Sequence, residues 1–495
     1  QAGTALIGGD SNVIIGADTG VALTSGSSNV VIGKGALDVA TTATLNVVVG
    51  TDAMGSVPAG QDVRKIVAVG ELALFGAGGT NTGIDGTVAI GYSALKALTT
   101  GAENTAVGYL ALEDMTTGSA NVAIGYQSQL NINHADADSN VTVGAFTMDG
   151  VAAVAVHSCT AVGHNALSGA LTTGAVGSTA IGFNSLNALT SGGSNTAVGY
   201  QSLRDQDAGA SNTAIGHHSL IVATGSDAAE NTAVGALSGD AISSGQKNTI
   251  VGSEAAANRL TSGDKNTAIG AETLGKGGCA NLTGDGNTVV GFQAGIAMEG
   301  DPDNNTFIGH LAGNNCTTGD DNTQVGSALT NGSSTADHCH GLGNDLSCAA
   351  DFTTFGNGDG ADMRIAHGGS SVAAVSDGRF KKNIETSTAG LSFVNDLRPV
   401  TFNWRTKGEL PEFSRAYEEG SEEQYRNAKH NHGFIAQEVK AAIDAHSEIK
   451  DGFGMWYELE DLGGQQEIGD GALVPMLVKA IQELSAKVKA LEDAQ

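Results

Sequence analysis

The chain has 495 residues, 40% hydrophobic and 4% aromatic, with 72 glycines and a formal net charge of −29. That hydrophobic content is too high for disorder, while so few aromatics and so many glycines exclude one conventional large globule and point to a repetitive, tightly turning backbone. Residues 1–375 carry ten Lys/Arg against 32 of the 53 acidic residues, a net of −22, which argues against nucleic acid and anionic lipid as partners.

The five cysteines, Cys159, Cys279, Cys316, Cys339 and Cys348, are odd in number and widely separated, so no disulfide framework is legible. No apolar run reaches the length of about 18 residues that a spanning helix needs, and no basic-then-apolar signal segment opens the chain. Gln1 falls inside a repeat, which reads as a fragment or a processed end.

Residues 1–360 are one internal repeat, and recognising it decides the fold. The unit reads Asn-Thr-Ala-Val/Ile-Gly. Its terminal glycine recurs from Gly16, Gly33 and Gly50 through Gly108, Gly125 and Gly199 to Gly309, Gly326 and Gly343, at intervals of 17 to 21 residues, with Gly356 a shorter last step. In Asn104-Thr105-Ala106-Val107-Gly108, alternation puts Thr105 and Val107 on one face and Ala106 on the other. A second short strand is expected after the glycine, as in Tyr109–Leu112, Tyr92–Leu95 and Phe183–Leu186. Turns such as Leu98-Thr99-Thr100-Gly101 close the unit, with glycine supplying positive φ and the asparagine suiting the next turn. Two short strands and two turns cannot bury a core alone. Stacked about 4.8 Å apart, twenty such coils would make a rod on the order of 100 Å long. The small Ala face is expected to lie against a second copy of the chain, and association would also help bury the Val/Ile rows.

Repeats of the form NTAVGYxAL…LTTG resemble the heads of trimeric autotransporter adhesins and the similar shafts of phage tail fibres. That resemblance, over residues 1–360, implies a left-handed parallel β-roll assembled as a trimer. The longer intervals imply outward insertions, where binding is expected.

Other shaft signals resolve to structure. The turns Asp301-Pro302-Asp303-Asn304-Asn305 and Asp320-Asp321-Asn322 read as solvated turns rather than calcium sites. His338-Cys339-His340 puts both histidines on one face but has no CxxC partner; a ring of histidines around a trimer axis is the one arrangement that would bind an ion. No metal and no cofactor is expected. A polysaccharide depolymerase would need a carboxylate pair beside aromatics, and nothing in the shaft selects one.

Residues 361–375 read as a linker. From Ser376 the composition becomes ordinary, and both tryptophans, Trp404 and Trp456, lie beyond it. Residues 391–404 read as a helix then a strand, 406–429 as an exposed loop or helix, 433–439 as a strand turning into a helix, and 455–459 as another strand. Over 472–493 a heptad seam predicts a coiled coil, with Val474, Ile481 and Val488 at a and Leu477, Leu484 and Leu491 at d. Six trimerisation residues follow, although β-branched a with Leu d leans toward two strands in simple coils.

SDGRFKKNI, LRPVTFNW, GFIAQEV and LVPMLVKAIQELSAKVKALE stand in the order of the endosialidase-type intramolecular chaperone family, which residues 376–495 resemble. The resemblance implies a domain that trimerises the fibre ahead of it and releases itself by cutting between Val375 and Ser376. Ser376 and Lys381 match the family's catalytic dyad. A lysine partly out of water can take the proton of a serine hydroxyl. Lys382 is an alternative base, Asp377 and Arg379 read as structural, and Ser376 also suits the cap of a helix beginning near Arg379.

The expected whole is mostly β: a trimeric parallel β-roll or β-solenoid shaft followed by a small α+β chaperone domain ending in a coiled coil. The expected role is a virion tail fibre or spike on the extracellular side, working as a homotrimer. Its partners would be baseplate or tail proteins and a host cell-surface polysaccharide or other receptor. A bacterial surface adhesin and, behind it, a depolymerase are the alternatives.

Overall fold

The computed structural model describes all residues except 77–81, 151–153, 173–174, 258–259, 276–280, 359–361, 370–371, 374–375, 450–452, 460–462 and 495. Cys279 and Val375 therefore lie outside the described residues. The chain divides into two compact units, Gln1–Val375 and Ser376–Gln495.

The first unit is a parallel β-solenoid. Short strands from Val13–Ile15 to Phe352–Gly356 stack in one sheet, each parallel to the next. Register is uniform: Thr105, Ala106 and Val107 pair with Val122, Ala123 and Ile124, and equivalent residues pair along the shaft. Three residues per strand suffice because β-branched residues at both ends favour extended backbone and the glycine that follows stops it. Gly108 has φ +147°, and a Cβ there would lie 2.2 Å from the carbonyl oxygen of Gly125. Both the dihedral and the contact forbid a side chain.

Two sequence expectations are corrected here. The Ala face is not turned toward another copy: Ala106, Ala123, Ala180 and Ala214 are fully buried inside their own coil. Alternation defines two faces without saying which is inside, and a coil this narrow takes the small residue inward. The Val/Ile residues point out and stay partly exposed. The second strand is also absent. Tyr109–Leu112 is a succession of turns with φ +56° at Leu110 and +53° at Leu112. Its backbone bonds alternate between neighbours, Leu110 N–H donating to Tyr92 O and Leu112 N–H to Ser128 O, both at 3.0 Å. A left-handed Leu costs about 1–2 kcal/mol. Burying its side chain, as at Leu112, returns about 1.5–3 kcal/mol.

The asparagine is likewise not a turn residue. Asn104, Asn121 and Asn140 are fully buried in a column. The Oδ1 of Asn104 accepts from the backbone N–H (3.0 Å) and Nδ2 (3.2 Å) of Asn121, while its own Nδ2 donates to Gly118 O at 2.8 Å. Cys159 and Cys339 stand in this column, their N–H groups donating to Asn140 and Asn322. The four described cysteines are free and buried. Burial pushes the thiols of Cys316 and Cys348 up to about 12 and that of Cys339 up to about 11, which leaves them inert near neutral pH.

Residues 361–375 are not a plain linker. Met363–Ala366 pairs antiparallel with Phe352–Gly356, and Val372–Ala373 pairs antiparallel with Met363–Ala366. The reversed strands cover the open edge that a solenoid otherwise presents.

In some coils volume is exchanged between two facing positions. Eight coils, those of Ala106 with Leu112 and Ala180 with Leu186 among them, set Ala in the strand against Leu four residues past the glycine. One coil instead buries Phe307 fully and has Gly313 at the Leu position, where a Cβ would meet the Phe307 ring at 2.4 Å. Phe307→Ala should therefore leave a cavity worth about 3–5 kcal/mol, and Gly313→Leu should overpack by about 1–3 kcal/mol. The double substitution restores the Ala/Leu pairing and should recover most of the loss, read as melting temperature by circular dichroism of the full chain. Additive losses in the double variant would show that the two positions do not share one volume.

Candidate functional site

In the second unit, α1 (Leu391–Asp396) leads into the strand Val400–Phe402, which pairs antiparallel with Asn431–Gly433. Next come α2 (Ala436–Ala445), the hairpin Trp456–Leu459 with Gln465–Ile468, and α3 (Val474–Glu492). Phe393, Val439, Ile443, Met455 and Leu473 form the core. The intervening segment from 406 is mostly irregular, with one short 3-10 turn, Lys407–Glu409, closed by a capping box between Thr406 and Glu409.

Five residues of extended chain would separate Ser376 from Lys381 by about 17 Å. The structure folds them together instead. Asp377 caps a 3-10 turn, Gly378–Phe380, by accepting from Arg379 N–H at 2.8 Å, and Lys381 closes it with its own N–H on Gly378 O. The turn brings Lys381 Nζ 2.8 Å from Ser376 Oγ. The cap is thus Asp377 rather than Ser376, which leaves the serine hydroxyl to the lysine. Arg379 also pairs through its guanidinium with the Asp377 carboxylate and holds that carboxyl below its ordinary range. Ser376 and Lys381 are both exposed on the single chain, so the expected partial desolvation of the lysine is not supplied by this unit.

The seam residues of α3 are all exposed, from 39% at Leu477 through 66% at Ile481 to 68% at Leu491. The helix packs on its own unit through a different face. Ala480 is buried, and the Glu483 carboxylate accepts the N–H of Leu391 at 2.9 Å. That contact caps the first turn of α1, and a Cβ at Gly390 would lie 2.7 Å from the Glu483 carboxylate, so a larger residue there would push the cap aside. Nothing in the heptad pattern marked Glu483 for this role.

His446 was also missed. It is buried at the end of α2, its Nε2 2.9 Å from Asp396 and its Nδ1 3.0 Å from Glu448, with its ring edge-on to Phe393. Hydrogen bonding to Asp396 first, then to Glu448, raises its pKa. A raised folded value means the clamp is complete below the unfolded value near 6.5 and is lost as pH climbs through the folded one. Urea unfolding followed by the two tryptophans, both in this unit, should show a higher midpoint near about pH 5.5 than near about pH 8.5. His446→Gln should flatten the difference, and an equally pH-dependent variant would contradict the clamp.

On the shaft, the two histidines of His338-Cys339-His340 go to different partners. His338 has φ +51° and faces Asp321 and Asp351, whereas the His340 ring lies 4.6 Å from that of His367. Among the described residues no group of three or more His, Cys, Asp or Glu is placed to hold a metal ion. The Asp-rich turns form a ladder: Asp285, Asp303, Asp320 and Asp337 each accept a backbone N–H from the preceding coil at 2.7–2.9 Å.

A further row lies outside the coils. Tyr92, Tyr109 and Tyr126 stack at 5.2–5.3 Å, Phe146 and His164 continue edge-on, and Phe183, Tyr200 and His217 stack again at 5.3–5.4 Å. Its signal in the sequence is an aromatic directly after the repeat glycine in successive units, displaced by one residue at Phe146, and legible only once the units are aligned as a column.

Among known proteins, residues 376–447 match the family described as chaperone of endosialidase. No curated protein and no solved structure matches the chain. The chain therefore joins a β-solenoid to a C-terminal domain of the endosialidase-chaperone type, and the matched segment begins at Ser376.

Proposed function

We propose that this chain is a trimeric tail fibre or spike protein of a phage, with a host-facing shaft and a C-terminal domain that brings three copies together before the shaft winds. The observation that carries the reading is the open seam of α3. Six apolar side chains at heptad spacing stay in water while the helix is held by another face, and such a surface is stable only against other helices. The match to the endosialidase chaperone supports it. So does the outward aliphatic column of the shaft, where Ile90, Ile124, Ile181 and Ile215 are each more than a third exposed. Virion location, attachment to baseplate or tail proteins and a host-surface polysaccharide or other receptor belong to the same proposal. No observation favours the adhesin or depolymerase alternative, since acids of the Asp ladder are engaged by backbone N–H groups.

Self-cleavage before Ser376 is part of this reading. Ser376 Oγ attacks the carbonyl carbon of Val375 while its proton passes to neutral Lys381 Nζ. The C–N bond breaks, and the leaving amine of Ser376 takes that proton. Water then hydrolyses the resulting ester, leaving a carboxyl on Val375 and a free amine and hydroxyl on Ser376. Because both dyad side chains are exposed on one chain, the desolvation that favours neutral lysine has to come from neighbouring copies.

Intact mass of the full chain should show fragments 1–375 and 376–495. Ser376→Ala and Lys381→Met should each remain whole, and an uncut parent under conditions where it is trimeric would remove the cleavage claim. Sedimentation should give three times the 49.5 kDa chain mass for uncut Ser376→Ala. The further change Ile481→Asp with Leu484→Asp should reduce it to monomer or aggregate. A Ser376→Ala chain that is itself a soluble 49.5 kDa monomer would sink the assembly role.

A further inference from the structure

Every coil offers two outward columns beside the glycine, and they differ in kind. The residue before the glycine is aliphatic in each coil, from Ile15 and Ile32 through Val107 and Ile215 to Val325 and Leu342. A column that never changes along the shaft serves a contact made along the whole shaft, which fits copy-to-copy packing. The residue after the glycine does change: Lys34, Thr51 and Glu71 near the start, Ala236 and Ser253 farther on. Lys34 and Glu71 are exposed. A permanent homotypic contact would not tolerate those charges in the same column, so this column faces water. Yet from Tyr92 to His217 it turns aromatic in every coil but one, where Ala145 follows the glycine and Phe146 beside it carries the row on; Tyr92, Tyr109, Tyr126, Phe183 and Tyr200 are exposed by 41–47%.

We propose that this ladder is a binding strip for an uncharged polysaccharide lying along the shaft. Four of its rings are tyrosines and two are histidines, so apolar ring area alternates with hydroxyl and imidazole groups, the mixture that suits a ligand with CH surfaces and hydroxyls together. Gln127, half-buried and one residue beyond the Tyr126 ring, adds a carboxamide. An extended polypeptide fits less well. The shaft strands run across the strip and are already paired on both sides in the sheet, so no free backbone edge faces a peptide. Charge excludes polyanions: residues 88–220 hold two Lys/Arg against eight Asp/Glu. Ring-to-ring spacings of 5.2–5.6 Å repeat along the row, so the strip offers an elongated ligand the same contact again in each coil. The inference rests on the proposed host-facing shaft and specifies its ligand class and place.

The test uses the full Ser376→Ala chain and saturation-transfer NMR with cellohexaose, maltohexaose, mannohexaose and chitohexaose, and with hyaluronan hexasaccharide as the anionic control. At least one neutral hexasaccharide should receive saturation and hyaluronan none. The triple variant Tyr109→Ser, Tyr126→Ser, Phe183→Ser should lose about tenfold or more in affinity while keeping its melting transition and its mass by sedimentation. No transfer to any neutral probe overturns the proposal, as does binding unchanged in the triple variant or preference for the anionic probe. A triple variant that falls from trimer to monomer identifies the strip as a copy-to-copy contact and also overturns it. Trimer mass is read separately, so failure of assembly and failure of sugar binding remain distinguishable.

Discussion

The contact between successive glycines sets every other distance in the shaft. A Cβ at Gly91, Gly182 or Gly216 would stand 2.2 Å from a carbonyl oxygen of the next coil, so the coils close to backbone contact at that corner and nowhere can they drift apart. Once that spacing is fixed, like residues in successive coils must face each other at one repeat distance. The buried asparagines bond head to tail, the Asp carboxylates reach the N–H of the coil before, and outward rings stack. A sequence column becomes a physical row. Insertions of two to four residues between glycines are absorbed in the turns, since register is re-imposed at each glycine.

Inside the coil the constraint is volume, and outside it is chemistry. Phe307 with Gly313 shows the first: a large ring is admitted only where the facing side chain has been removed. Gly295 beside Val289 repeats the exchange on a smaller scale, with an added Cβ 3.2 Å from the Val289 side chain. The outward columns have no such partner within the chain. One stays aliphatic throughout and the other varies freely, so whatever distinguishes this shaft from another built on the same repeat is written on its outward positions.

The period, the parallel stacking and the site of the composition change at Ser376 were legible because they are properties of order along the chain. Which face of Thr105-Ala106-Val107 points inward was not, because three alternating residues define two faces without a core to choose between them. The segment after the glycine read as strand from Tyr109-Leu110-Ala111-Leu112, since left-handed leucines leave no mark in composition and are tolerated only because neighbouring coils take both sets of hydrogen bonds. Residues 361–375 read as linker for a related reason: strand reversal depends on the coil end they cover. The five-residue spacing of Ser376 and Lys381 was visible. The Asp377-capped turn that closes it, and the exposure of both side chains, were not. Glu483 and His446 act across 92 and 50 residues of sequence, beyond any local pattern.

A trimer of such shafts faces a difficulty that the shaft itself cannot solve. On the proposed reading the outward aliphatic column packs copy to copy along its whole length, but Ile124 is nearly equivalent to Ile90, Ile181 or Ile215, so two copies displaced by one coil would bury almost the same surface. Hydrophobic contact is non-directional and does not penalise that slip. A device that fixes relative height has to act at one place and before the shafts meet. The seam of α3 fits that need, because three heptads of Val, Ile and Leu bounded by charged residues have few alternative registers compared with a long uniform column. On the proposed reading, the domain that follows Ser376 supplies the register information that a repeat, by being a repeat, cannot carry. On the same reading, once all coils are wound that information would be stored in the shaft contacts themselves, and the connection at Val375–Ser376 would no longer be needed to hold them.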